Sequence, residues 1–130
     1  MIYNLTEYLV NELATINFTS NGFKKGSPHN VVAVNEAGGL PNSQHDRNDF
    51  SVQIMSRGDD NPTSRKQAWD VFNKIQKKFG LTLPMATVKG ETYPAVKTWK
   101  IVANADPGYI GNDVNGLPLF STNYTITIDD

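Results

Sequence analysis

Phe50-Ser51-Val52-Gln53-Ile54-Met55-Ser56-Arg57-Gly58-Asp59-Asp60-Asn61-Pro62, running on through Ala68, Val71, Phe72, Ile75 and Phe79 to Gly80, is the stretch whose reading decides the fold. In its first half Phe50, Val52 and Ile54 alternate with Ser51, Gln53 and Met55, the period of two that gives a strand one dry face. Arg57 to Pro62 ends that strand. Asn61 is placed to cap a helix with Pro62 at the first position, where a missing N–H costs nothing. Ala68, Val71, Phe72, Ile75 and Phe79 then follow helical spacing, and Gly80 is expected at the helix stop.

Upstream, Val31-Val32-Ala33-Val34 is a continuous apolar run that suits a strand covered on both faces. It is expected to break at Ala37-Gly38-Gly39, and residues 40–49 read as a polar loop with nothing able to bury a surface. Residues 21–30 carry Asn-Gly, two lysines, Gly26 and Pro28, and read as another loop. The chain opens on a helix. Asn4 and Glu7 fit a capping box, Tyr3 and Tyr8 a hydrophobic staple, and Leu5, Leu9, Leu13 and Ile16 a buried stripe that should end near Thr15.

Downstream, Ala86 to Val88 reads as a brief strand before a turn at Gly90-Glu91, and loops are expected over 40–49 and 84–95. Lys97, Trp99, Ile101 and Ala103 alternate with Thr98, Lys100 and Val102, a strand. Residues 105–118 read as a long loop, and Tyr124-Thr125-Ile126-Thr127-Ile128 as the closing strand. Trp69 and Trp99 should both be at least partly buried. The order α–β–β–α–(β)–β–β, without a repeat or a linker, predicts one α+β domain over 1–130. Its sheet is expected to be mixed and mostly antiparallel, with two helices packed on one face.

The chain has 130 residues, 38% of them hydrophobic, so its core is thin, and burial against further copies is a common remedy. Twelve basic and 13 acidic side chains leave a net charge of −1, without the basic excess that gripping a phosphate backbone needs. Lys74, Lys77 and Lys78 sit where a helix C-terminus attracts cations without any ligand. There is no cysteine, which excludes disulfides and thiolate metal sites and fits assembly in a reducing cytosol. No stretch nears the ~20 apolar residues of a membrane span, and the start lacks a signal-peptide pattern. A soluble protein is expected.

Catalytic chemistry is sparse. His29 and His45 lie in loops, and His45-Asp46 is at most half of a base–orienter pair with no cysteine or Gly-x-Ser-x-Gly nucleophile to serve. Asp113-Val114-Asn115-Gly116 resembles a fragment of a calcium loop. Counted from Asp113, however, the required glycine and glutamate positions hold Pro118 and Tyr124, so a turn is the better account. Asp106 and Asp113 could still share a cation, though their spacing does not demand it. Gly38-Gly39 has no Gly-Lys-Ser/Thr after it, so no phosphate-cradling loop is present. Arg57-Gly58-Asp59 lies between a strand and a helix cap, where Gly and Asp belong anyway. The carboxylate pairs Asp59-Asp60, Asp46 with Asp49, and Asp129-Asp130 sit in polar surroundings, whereas acid–base work needs one carboxyl in an apolar pocket. No catalytic, cofactor or metal site is expected, and the chain reads as a non-enzyme.

Several strings, in order, carry a family resemblance. Val32-Ala33-Val34-Asn35-Glu36-Ala37-Gly38-Gly39 resembles the first sheet strand of phage minor capsid and tail-terminator proteins. Phe50 to Arg57 is similar to their second strand, and Ala68 to Phe79 to their long helix. Asp106-Pro107-Gly108-Tyr109-Ile110-Gly111-Asn112-Asp113 resembles the segment before the last strand, and Phe120 to Ile128 that strand itself. The resemblance implies a structural virion protein: a homo-oligomeric ring, a hexamer, on the head-proximal end of a completed tail tube. Such a ring halts tube polymerisation and offers a joining surface to the head-side connector. It implies assembly in the host cytoplasm, DNA passing through the lumen without specific binding, and no cofactor or membrane partner. The expected interface and loop contacts are Glu36, Gly38, Gly39, Asp46, Asp49, Arg57, Asp59, Asp60, Pro107 and Asp113, with Asp46, Asp49, Asp59 and Asp60 expected toward the lumen. A sheet edge beside 31–36 or 124–128 should be open to a neighbour. The alternatives are an adjacent head-completion or stopper protein and, remotely, a small enzyme using His45.

Overall fold

The computed structural model describes residues 1–39 and 47–129, with side chains at 1–37 and 49–128. Helix α1 (Ile2–Glu12) leads into β1 (Phe18–Ser20), β2 (Val31–Gly39) and β3 (Arg47–Arg57). Helix α2 (Asn61–Ile75) is followed by β4 (Lys78–Phe79), β5 (Thr82–Leu83), β6 (Ala86–Val88) and β7 (Glu91–Tyr93). The chain closes with β8 (Val96–Ala103), β9 (Gly108–Asn112) and β10 (Pro118–Asp129). Among the described residues eight strands form one sheet in the order β1-β2-β3-β10-β8-β4, with β5 also on β8 and β9 on β10. Strands β6 and β7 form a separate hairpin. Only β1 and β2 run parallel among these pairs; the others are antiparallel. The expected mixed, mostly antiparallel α+β sheet is what the chain builds.

Alternation explains the core. Register places Val34 opposite Ile54 and Val52 opposite Tyr124, so one set of side chains lies on one face. Val32, Val34, Val52, Ile54, Tyr124 and Ile126 from that face join a single cluster with Ile2, Leu5 and Leu9 of α1 and Val71 and Ile75 of α2. Because both helices enter the same cluster, both cover the same face. The opposite face is polar at its centre. There Asn35 donates to Gln53 (3.3 Å) and Gln53 to Ser121 (3.2 Å), one side chain from each of three neighbouring strands.

Several local expectations are corrected. Helix α1 is capped by Met1 without a side-chain hydrogen bond and ends at Glu12, not near Thr15. Asn4 is not its cap but lies inside the first turn, 1% exposed, and clamps another segment. Helix α2 is capped by Asp60, one residue before the expected Asn61, and stops at Ile75. Gln76 is extended, Lys77 turns through φ +56°, and Phe79 pairs with Lys100 in β4, 68% exposed. The periodicity through Phe79 is therefore overridden. The Gln76 side chain accepts from the Ala103 N–H at 2.7 Å and the Lys77 N–H at 3.1 Å, which ties the helix end to β8.

The phase of β8 also differs from simple alternation. Lys100 faces Thr127 but Thr98 faces Ile128, so Trp99 is the extra residue of a bulge. Thr98 and Ile101 are consequently the buried pair, while Trp99, like Trp69, is half-buried as expected. The two edges anticipated at 31–36 and 124–128 are interior. β2 is covered by the three-residue β1, which the turn-rich 17–21 stretch hides, and β10 lies between β3 and β8. Residues 105–118 are not wholly loop, since β9 pairs with the first part of β10, and 84–95 contains the β6–β7 hairpin.

Candidate functional site

Arg57 ends β3 between Val31 on β2 and Leu119 on β10, in the alternation phase opposite the helices. Its guanidinium gathers three segments. Nε donates to the His29 carbonyl (3.1 Å) and Nη2 to that of Pro28 (2.8 Å). Nη1 lies 3.7 Å from an Asp113 carboxylate oxygen, with both side chains largely buried. The group also stands over the Phe23 ring at 4.6 Å, a cation–π contact. A planar fork of donors suits this set of partners in a way a lysine would not.

Each neighbour is fixed by local chemistry. Asp113 closes the turn between β9 and β10 by accepting from the Asn115 and Leu117 N–H groups, both at 2.9 Å. The turn expected at 113–116 is thus present, and Asp113's oxygens are engaged by N–H groups and Arg57. Asp60 accepts from Thr63 N–H at 2.8 Å, and hydrogen bonds from the Thr63 hydroxyl and N–H hold its carboxyl below the usual range. Asp59 sits 2.8 Å from His29 Nδ1, both side chains being more than half exposed at 59% and 67%. Beneath them, buried Ser56 and Ser64 exchange hydrogen bonds with each other's carbonyls at 2.8 and 3.0 Å, and Gln67 donates to the Arg57 carbonyl at 2.9 Å. Gly58 is required here, because a Cβ would lie 2.6 Å from the Ser64 nitrogen.

The structure therefore brings together Arg57, Asp59, Asp60 and Asp113 at one end of the sheet. Glu36, Gly38, Gly39 and Asp49 lie toward the other end, where Gly39 pairs with Phe50. Asp49 is half-buried and accepts from the Thr127 hydroxyl at 2.6 Å. Asp49 and the Asp59-Asp60 pair, expected on one lumen surface, thus lie toward opposite ends of β3. Pro107 is buried in the corner between β8 and β9. Asp46 and His45 fall outside the described residues.

Sequence reading missed the rest of this end. An open cleft of about 460 Å³ is lined by Phe23, Lys24, Lys25, His29, Arg57 and Leu117, with the Asp59 and Asp113 carboxylates paired to its His29 and Arg57. Asn21-Gly22 and Gly26 announce a loop, but no local signal says that it lands against a strand end some thirty positions later. Tyr109 and Ile110 on β9 are each 53% exposed, and Val114 at the hairpin tip is fully exposed. The His29–Asp59 couple lies in water rather than in an apolar pocket. Among the described residues no group of three His, Cys, Asp or Glu side chains could hold a metal ion. No helix among them is long and apolar enough to cross a membrane. What the end offers is shape, charge and apolar contact.

No curated protein matches the sequence. A family model described as bacteriophage tail terminator protein matches residues 11–130. That span takes in the whole sheet, α2, the Arg57 latch and the β9–β10 hairpin. A model that accounts for the chain at this length fixes its kind: the chain belongs to the bacteriophage tail terminator family, structural and non-enzymatic components of the phage tail.

Proposed function

We propose that the chain caps the head-proximal end of the tail tube as a hexameric ring, stops tube growth and gives the head connector its joining surface. The observation that carries this reading is the family match over 11–130. The asymmetry of the subunit supports it. One end of the sheet is latched by Arg57 and carries the cleft lined by Lys24 and Lys25, while the other carries Glu36 and Asp49. A ring of such subunits has two unlike faces, one for the tube and one for the connector. Tube growth stops because the outward face no longer repeats the surface that subunits add to. With a net charge of −1 the ring has little general attraction for phosphate, which suits a channel that DNA must leave freely.

The test is electron microscopy of tails assembled with and without the protein. Its loss should give tubes of uncontrolled length that do not join heads. Tails of normal length that still fail to join would assign it instead to the neighbouring head-completion position. Tails of normal length that join heads would end the proposal.

A further inference from the structure

Strand β9 is a free edge of the sheet among the described residues. It pairs with β10 alone, and it carries Gly108, Tyr109, Ile110, Gly111 and Asn112, with no charge and no proline. Proteins ordinarily protect an exposed edge with such residues. The other outer strand on this side, β4, is two residues long and carries Lys78. Register leaves one residue of this edge unmatched. Phe120 faces Tyr109 and Leu119 faces Gly111, so Ile110 is the bulged residue and has no partner on β10. Along the second half of β10 the next positions are filled by β8, β4 and β5, whereas beside β9 no described strand lies.

The far side of the same sheet ends in β1, Phe18-Thr19-Ser20, also uncharged and paired only with β2. Strand directions make these two edges complementary. β1 runs with β2, β3 against β2, β10 against β3, and β9 against β10, so β1 and β9 point in opposite directions. Two copies set side by side with their helices on the same face would bring β9 of one against β1 of the next as an antiparallel pair, the more stable arrangement per residue. The two edges differ, so the contact is heterologous and repeats head to tail, which is how rings close.

We infer that the β9 edge, with Tyr109, Ile110 and Val114 around it, is the surface that binds a second copy of this chain, and that the β1 edge is its receptor. The inference rests on the ring reading and names the interface within it. The absence of cysteine allows a direct test, because introduced thiols are the only ones in this chain. A Thr19→Cys/Ile110→Cys double variant, treated with a short bismaleimide both in solution and on assembled tails, should give a ladder of covalent multimers. Each single variant should give no ladder. Ile110→Lys, at an exposed site, should keep the melting temperature and weaken self-association by about tenfold or more.

A wild-type protein that multimerises while the double variant gives no ladder and Ile110→Lys assembles normally would overturn this interface and leave the ring standing. Cross-linking to another tail protein in place of a second copy would overturn it as well. A wild-type protein that is monomeric in solution and on tails would remove the ring and this interface together.

Discussion

Asn4 shows how one polar side chain serves the fold from a position where local rules give it a different task. Its amide nitrogen lies 2.9 Å from the Pro84 carbonyl, 3.1 Å from that of Tyr93 and 3.0 Å from that of Pro94. Two N–H bonds are shared among three acceptors, and the group is buried, so truncation leaves carbonyls without a donor. Asn4→Ala should lower stability by about 2 to 3 kcal/mol in urea unfolding with an unchanged m value. A loss below about 0.5 kcal/mol would mean that water reaches those carbonyls. Tyr124 presents the opposite case. Its hydroxyl is buried without a hydrogen-bond partner of good geometry, and burial pushes its pKa well up, opposed only in part by the Thr122 hydroxyl. Above pH of about 10 the unfolded chain releases this proton while the folded chain keeps it, so the unfolded state binds fewer protons and stability falls as pH rises. Tyr124→Phe should flatten that alkaline decline, measured as the melting temperature between neutral pH and pH of about 11, and change neutral stability little.

At the scale of elements, the end of α2 is the informative place. Helical spacing assigns Phe79 to the buried stripe, and a buried phenylalanine replaced by alanine costs about 3 to 5 kcal/mol. In the structure Phe79 lies in β4 with most of its side chain in solvent. Phe79→Ala should therefore cost about 0.5 kcal/mol or less, and a cost of several kcal/mol would restore the longer helix. The switch from helix to strand is driven from outside the segment. β8 has an Ala103 N–H to satisfy, and the Gln76 side chain supplies the acceptor at the point where the chain leaves the helix. The strain of a left-handed lysine at 77 is part of the cost of that exit. The Trp99 bulge has the same character, since one extra residue in β8 turns Thr98 and Ile101 inward together.

For the whole molecule, Arg57 joins loop 21–30, the 113–117 turn and Gln67 of α2 into one end of the sheet. Arg57→Ala should lower stability by about 2 to 3 kcal/mol, because Asp113 and the two carbonyls lose a partly buried charged donor. Hydrogen exchange should accelerate over 23–30 and 113–117 and stay unchanged at the centre of β3 and β10. Arg57→Lys should recover little, for want of the planar fork. If exchange rose uniformly instead, Arg57 would support the global fold rather than this end. The same latch positions the β9–β10 hairpin, so weaker self-association is also expected of Arg57→Ala.

The sequence by itself determined the strands and helix faces whose signal repeats along the chain. Phe50 to Ile54, Tyr124 to Ile128 and the Ala68–Val71–Ile75 stripe were legible because a side chain's phase within its own element decides whether it meets the core. The lack of cysteine, of a Gly-x-Ser-x-Gly elbow and of a phosphate-loop motif was equally local, as was the turn at Asp113. Tertiary structure alone decided what depends on distant partners. Asn4 finds carbonyls up to 90 positions away, β1 becomes a strand because β2 lies beside it, and Arg57 meets His29 and Asp113 from opposite directions along the chain. Which strands end the sheet follows from pairing order, and pairing order is set by long-range contacts that leave no period in the sequence.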